Sequence, residues 1–80
     1  MIRLLIVDDQ LIFRQDLAKL LSLESDLDVI GQAANGQEAL EIVPILQPDV
    51  ILMDVRMPIC DGAIATRKIH QQYSWIRILV

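Results

Sequence analysis

Val50-Ile51-Leu52-Met53-Asp54-Val55-Arg56-Met57-Pro58 is the stretch on which the reading of this chain turns. It opens with an unbroken apolar run, is entered through Pro48-Asp49, and leaves through a proline and then a glycine. A run so short and uniform suits a central parallel strand covered on both faces. Asp54 closes it. In an open α/β sheet the crevice that takes ligands lies beyond the carboxyl ends of the strands, so this strand delivers a carboxylate there. A second apolar run, Ile2 to Val7, closes on Asp8 and Asp9. Two strands therefore aim three carboxylates at one place.

Working outward, residues 2–7 read as a strand and 11–23 as a helix whose positions Phe13, Leu17, Leu20 and Leu21 form one apolar face. Arg14, Gln15 and Lys19 take its wet side. Asp28 to Ala33 makes a second, shorter strand, and Ala34-Asn35-Gly36 turns the chain into a helix from about Gln37 to Leu46. Ala39, Leu40, Val43 and Leu46 form its inner face, with Glu38 and Glu41 outward. Pro44 lies inside that pattern, removes an N–H and crowds the carbonyl of Leu40, which predicts a kink or an early end. Asp49–Asp54 is the third strand and Val55–Asp61 a loop. Gly62 to about Gln72 is a third helix, with Ile64, Ala65, Ile69 and Ala63 available for its inner side. Tyr73-Ser74-Trp75 is a connector with Trp75 partly buried, and Ile76–Val80 begins a fourth strand. This alternation predicts an α/β fold, a doubly wound parallel sheet with right-handed crossovers.

Eighty residues make one small domain at most, able to bury only about 60% of the surface of the unfolded chain. Hydrophobic residues make up 54% and aromatic residues only 4%, which suits an aliphatic sheet buried under helices. Eleven acids against seven scattered bases leave a formal charge of −4 and no basic stripe, so these residues are a poor candidate for binding nucleic acid directly. The one cysteine, Cys60, excludes an internal disulfide. Arg3 and the Asp8-Asp9 pair interrupt the first apolar segment, which argues against a signal peptide. No apolar run approaches the ~20 residues that span a bilayer, so a cytoplasmic protein without membrane contact is expected.

Three converging carboxylates repel one another, and a divalent cation relieves the repulsion. Mg²⁺ takes oxygen ligands and keeps several waters, so one or two carboxylates plus a backbone carbonyl would suit it. No His or Cys lies among these acids, which argues against zinc. An Asp neutralised in this way can act as a nucleophile toward phosphorus, forming an aspartyl phosphate. The simpler reading is that Asp8 and Asp9 cap the first helix while Asp54 merely ends a strand. Capping explains one acid of the pair but not both. His70, near a helix end, and Cys60 need no role beyond a solvated one.

The order of these features resembles the receiver domain of bacterial two-component response regulators. The matching residues are Leu4-Leu5-Ile6-Val7-Asp8-Asp9, Asn35-Gly36-Gln37-Glu38-Ala39-Leu40, and Pro48 through Pro58 followed by Asp61-Gly62. Arg14, Asn35-Gly36 and Asp61-Gly62-Ala63 are similar to the subgroup that carries a C-terminal helix-turn-helix DNA-binding domain. The resemblance implies a flavodoxin-like receiver of strand order 2-1-3-4-5. Residues 1–80 would form an incomplete receiver domain, without its fifth strand and last helices and with no second domain. Asp54 would accept a phosphoryl group from a sensor histidine kinase. Asp9 and the backbone carbonyl of Arg56 would ligate Mg²⁺ directly, Asp8 directly or through water, and Asp54 beside them, while Met57 and Pro58 shape the adjacent loop. The domain would be a signalling module and not an enzyme, beyond promoting its own phosphorylation and dephosphorylation. DNA would be met only through an output domain outside this chain.

The family's switch Ser or Thr and its Lys fall beyond Val80. Without the fifth strand, Ile76, Ile78 and Val80 would form a bare edge open to self-association. One alternative is a degenerate receiver or interaction module that works without phosphorylation. A phosphatase of the haloacid dehalogenase type is a weaker one, because such enzymes need an acid two residues after the nucleophile and position 56 is Arg.

Overall fold

The run Leu4 to Val7 is buried throughout and lies in an inner strand of the sheet, with a neighbouring strand on each side. The computed structural model describes residues 1–54 and 62–80. The expectations placed on Arg56, Met57, Pro58, Cys60 and Asp61 lie outside the described residues.

The elements follow the predicted alternation: β1 (Ile2–Val7), α1 (Leu11–Ser22), β2 (Leu27–Ala33), α2 (Gly36–Leu46), β3 (Val50–Met53), α3 (Gly62–Gln72) and β4 (Arg77–Leu79). All strand pairs are parallel, in the order β2-β1-β3-β4. The expected α/β doubly wound sheet is what the chain forms. Alternate residues of β1 and β3 serve opposite faces. Leu5, Val7, Ile51 and Met53 join Ala39, Val43, Ala65, Ile69 and Ile76 in one core under α2 and α3. Each fully buried Leu, Ile or Val side chain contributes roughly 1.5–3 kcal/mol. Leu4 and Ile6 point to the other face, where the buried residue of α1 is Ala18.

Two local devices set the strand ends. Leu4 pairs with Val29 but Leu5 with Gly31, so Ile30 is an extra residue in β2 and the strand is bulged there. A Cβ on Gly31 would approach Leu46 Cδ1 to 2.6 Å, so glycine allows the tip of Leu46 to lie against the strand. Arg3 secures the other end of the sheet. Its guanidinium donates to the carbonyls of Leu46 and Gln47, both at 2.6 Å, and so caps the C-terminus of α2. The N–H of Arg3 donates to Asp49 Oδ2 and the N–H of Asp49 to the Arg3 carbonyl, stitching β1 to the start of β3.

Five expectations need correction. α2 does not end at Pro44 but continues to Leu46. The proline is exposed, while Val43 and Leu46 on the other side pack in or against the core, and that packing carries the helix past the missing N–H. The apolar face of α1 is not fully covered: Phe13 is 52% and Leu20 64% exposed, because only part of the helix lies over β1 and β2. On α3 the inner residues are Gly62, Ala65 and Ile69, with Ile64 and Ala63 turned outward. At β4, Ile76 is buried and Ile78 packs on the core, so the bare residues are Leu79 and Val80. Trp75 is also more exposed than expected, 64%, and meets Tyr73 edge to face at 5.6 Å.

Candidate functional site

Parallel pairing brings the ends of β1 and β3 level, since Val7 lies opposite Met53. The ladder continues one residue further on both sides of β1. The Asp54 N–H donates to the Val7 carbonyl at 3.0 Å, and the Asp8 N–H donates to the Ala33 carbonyl at 3.1 Å. The acids are thus extensions of the sheet and inherit its rigidity. Their position is the crevice beyond the strand ends that a doubly wound fold offers to ligands.

Asp8, Asp9 and Asp54 each offer one carboxylate oxygen, and these atoms lie within 4.8 Å of one another. Asp8 and Asp54 are half-buried and Asp9 is exposed. The three acids that the sequence singled out are therefore brought together, whereas Arg56 lies outside the described residues. The donor set is all oxygen, without His or Cys, and suits a hard cation such as Mg²⁺. Cis ligands of an octahedral Mg²⁺ stand about 3 Å apart, so small side-chain rotations would bring this cluster to that spacing.

The capping explanation of the acidic pair does not describe what they do. Gln10 is the residue before α1, and no side chain caps that helix end. Asp8 Oδ1 instead accepts the N–H of Gln10 at 2.9 Å, which folds the strand-to-helix turn back on itself. By contrast α2 carries a reciprocal cap: Asn35 Oδ1 accepts the Glu38 N–H, and Glu38 Oε1 accepts the N–H of Ala34.

Sequence reasoning missed Arg14, which it placed on the wet face of α1. Arg14 is half-buried, and its guanidinium donates to the backbone carbonyl of Asp8 at 2.6 Å and to Gln32 Oε1 at 3.1 Å. No local signal marks such a contact, because its acceptor is a main-chain oxygen. Beside the acids an apolar cleft runs along Ile6, Phe13, Leu17, Leu52, Leu79 and Val80.

Residues 4–80 match the family model described as the response regulator receiver domain. Among curated proteins, the chain is 46% identical over its full 80 residues to the transcriptional regulatory protein LnrK of Bacillus subtilis, spanning 36% of that protein. It is 44% identical over 80 residues to a protein-glutamate methylesterase/protein-glutamine glutaminase of the same organism, spanning 22% of it. Among solved structures, the response regulator domain of Thermotoga maritima CheB superposes with a TM-score of 0.91 at 37% identity, covering 98% of this chain and 57% of that one. The chain thus spans about a third or less of these two relatives and somewhat over half of the solved receiver.

Proposed function

This chain belongs to the response regulator receiver family, and from that premise we propose that it is a phosphoacceptor switch in which Asp54 takes a phosphoryl group from a sensor histidine kinase. The observation that carries the reading is the convergence of Asp8, Asp9 and Asp54 at the ends of two adjacent parallel strands. Asp54 Oδ attacks the phosphorus of a phosphohistidine, the new O–P bond replaces the N–P bond, and the imidazole leaves and regains a proton from solvent. The main chain of Asp54 is fixed at the end of the sheet by its bond to Val7, which limits the freedom its carboxylate loses on reaction. Asp8, Asp9 and Asp54 would hold Mg²⁺, together with the carbonyl of Arg56, which lies outside the described residues. When bound, Mg²⁺ neutralises the carboxylates and the incoming phosphoryl oxygens.

The output is transcription regulation through a DNA-binding domain outside these eighty residues, a reading supported by the match of all 80 residues to part of LnrK, a transcriptional regulatory protein. A methylesterase output is the second reading, supported by 51% identity over 67 residues to a protein-glutamate methylesterase/protein-glutamine glutaminase of Pseudoalteromonas atlantica. Phosphorylation-dependent retention of promoter DNA by the whole protein, against methyl-ester hydrolysis, separates the two. The protein works in the cytoplasm; among the described residues no helix is long and apolar enough to cross a membrane. For residues 1–80 taken by themselves, the outer edge of β4 is a surface for self-association.

The deciding experiment is labelling with a phosphorylated kinase or a small phosphodonor in Mg²⁺. Wild type is expected to form an acid-stable, base-labile adduct and Asp54→Asn none. Undiminished labelling of Asp54→Asn would refute the assignment.

A further inference from the structure

The acidic site is held from behind by a residue that carries no acid itself, and we infer that Arg14 is a positioning residue for cation binding at the Asp8-Asp9 turn. This inference rests on the proposed function and extends it to a residue outside the metal-ligating set.

Asp8 is fixed at three atoms. Its N–H is spent on Ala33 of β2, its Oδ1 on the N–H of Gln10, and its carbonyl on the guanidinium of Arg14. The third bond is short and charge-assisted, the stronger kind of hydrogen bond. It also comes from a different element: Arg14 reaches back from α1, while its Nε is held by the Gln32 side chain from β2. The planar fork bridges two acceptors in fixed directions, which a lysine ammonium cannot reproduce. The peptide between the two acids therefore cannot rotate without breaking a contact to α1. That peptide sets the direction in which the Asp9 side chain leaves the backbone, and Asp9 is the most exposed of the three acids.

Geometry and charge make opposite forecasts for removing Arg14. A cation beside a cation site disfavours loading by simple repulsion, so deleting it on charge grounds alone should tighten Mg²⁺ binding. Loss of positioning should weaken it. Outer residues that orient metal ligands typically change affinity about 10–100-fold. The bond geometry, a short contact to the peptide joining two of the acids, favours the weaker outcome.

The test is Mg²⁺ titration by calorimetry on the whole chain, with Arg14→Met, Arg14→Lys, Gln32→Ala and the distant control Lys19→Met. Arg14→Met should lower Mg²⁺ affinity about tenfold and Arg14→Lys nearly as much, with a smaller loss for Gln32→Ala, which frees the guanidinium without deleting it. Saturating Mg²⁺ should restore most of the phosphorylation rate in Arg14→Met, because Asp54 itself is untouched. Unchanged or tighter Mg²⁺ binding in a folded Arg14→Met would overturn the inference while leaving the proposed function intact. A wild-type chain that fails to bind Mg²⁺ would overturn both. If Arg14→Met does not fold, Gln32→Ala decides: no change in Mg²⁺ affinity there counts against the inference.

Discussion

Gln47 is the one non-glycine residue described with a left-handed backbone, φ 50° and ψ 63°. It ends α2, and its N–H closes on the Val43 carbonyl at 2.8 Å. An L residue pays about 1–2 kcal/mol for this conformation, and glycine does not, although glycine gives some of that back as chain entropy in the unfolded state. Gln47→Gly should therefore stabilise the protein by about 0.5–1 kcal/mol, read as a raised midpoint in urea with an unchanged slope. The Arg3 bonds to this corner go to main-chain carbonyls and survive the change. Residue-scale features of this kind divide sharply in how readable they were. The three acids could be found from sequence because each ends an apolar run. Arg14 could not, since its partner is a carbonyl that every residue possesses.

At the scale of elements, α2 shows what packing can override. Proline in a helix interior costs about 3 kcal/mol relative to alanine, part of which is returned through a stiffer unfolded chain. Yet α2 runs on for two residues beyond Pro44. Pro44→Ala is accordingly expected to stabilise the protein by about 1–3 kcal/mol and to slow hydrogen exchange in the last turn of α2; an unchanged midpoint would mean that the helix never bore the cost. The strands were the most legible elements, because burial writes itself as a continuous apolar run, Leu4 to Val7 in β1 and Val50 to Met53 in β3. Helix periodicity told which residues of α1 share a face but not what would lie against that face. The same limit explains Ile64: α3 buries Gly62, Ala65 and Ile69, and its neighbour in the closest backbone contact is α2, so Ile64 is left outside. For β4, alternation was foreseeable but its phase was not, since Ile76, Ile78 and Leu79 are all apolar.

The whole molecule is two-sided, with one face of the sheet closed under α2 and α3 and the other only partly closed under α1. Phe13, Leu79 and Val80 are each more than half exposed around the cleft that begins at the acids. Apolar surface beside an unpaired strand edge favours association. The eighty-residue chain on its own should bind a hydrophobic dye and sediment with a concentration-dependent coefficient, and Leu79→Lys should shift it toward monomer. A chain that stays monomeric at high concentration would show that the cleft is too shallow to matter.

The pairing of β1 with β3 also has a consequence in time. Asp8 and Asp9 leave the ribosome early, and Asp54 follows only after two helices and two strands have been made. A parallel neighbour cannot arrive by a tight turn. The cation site is thus a late product of synthesis, absent from every shorter nascent chain, and a kinase can meet a competent acceptor only after the centre of the sheet has closed.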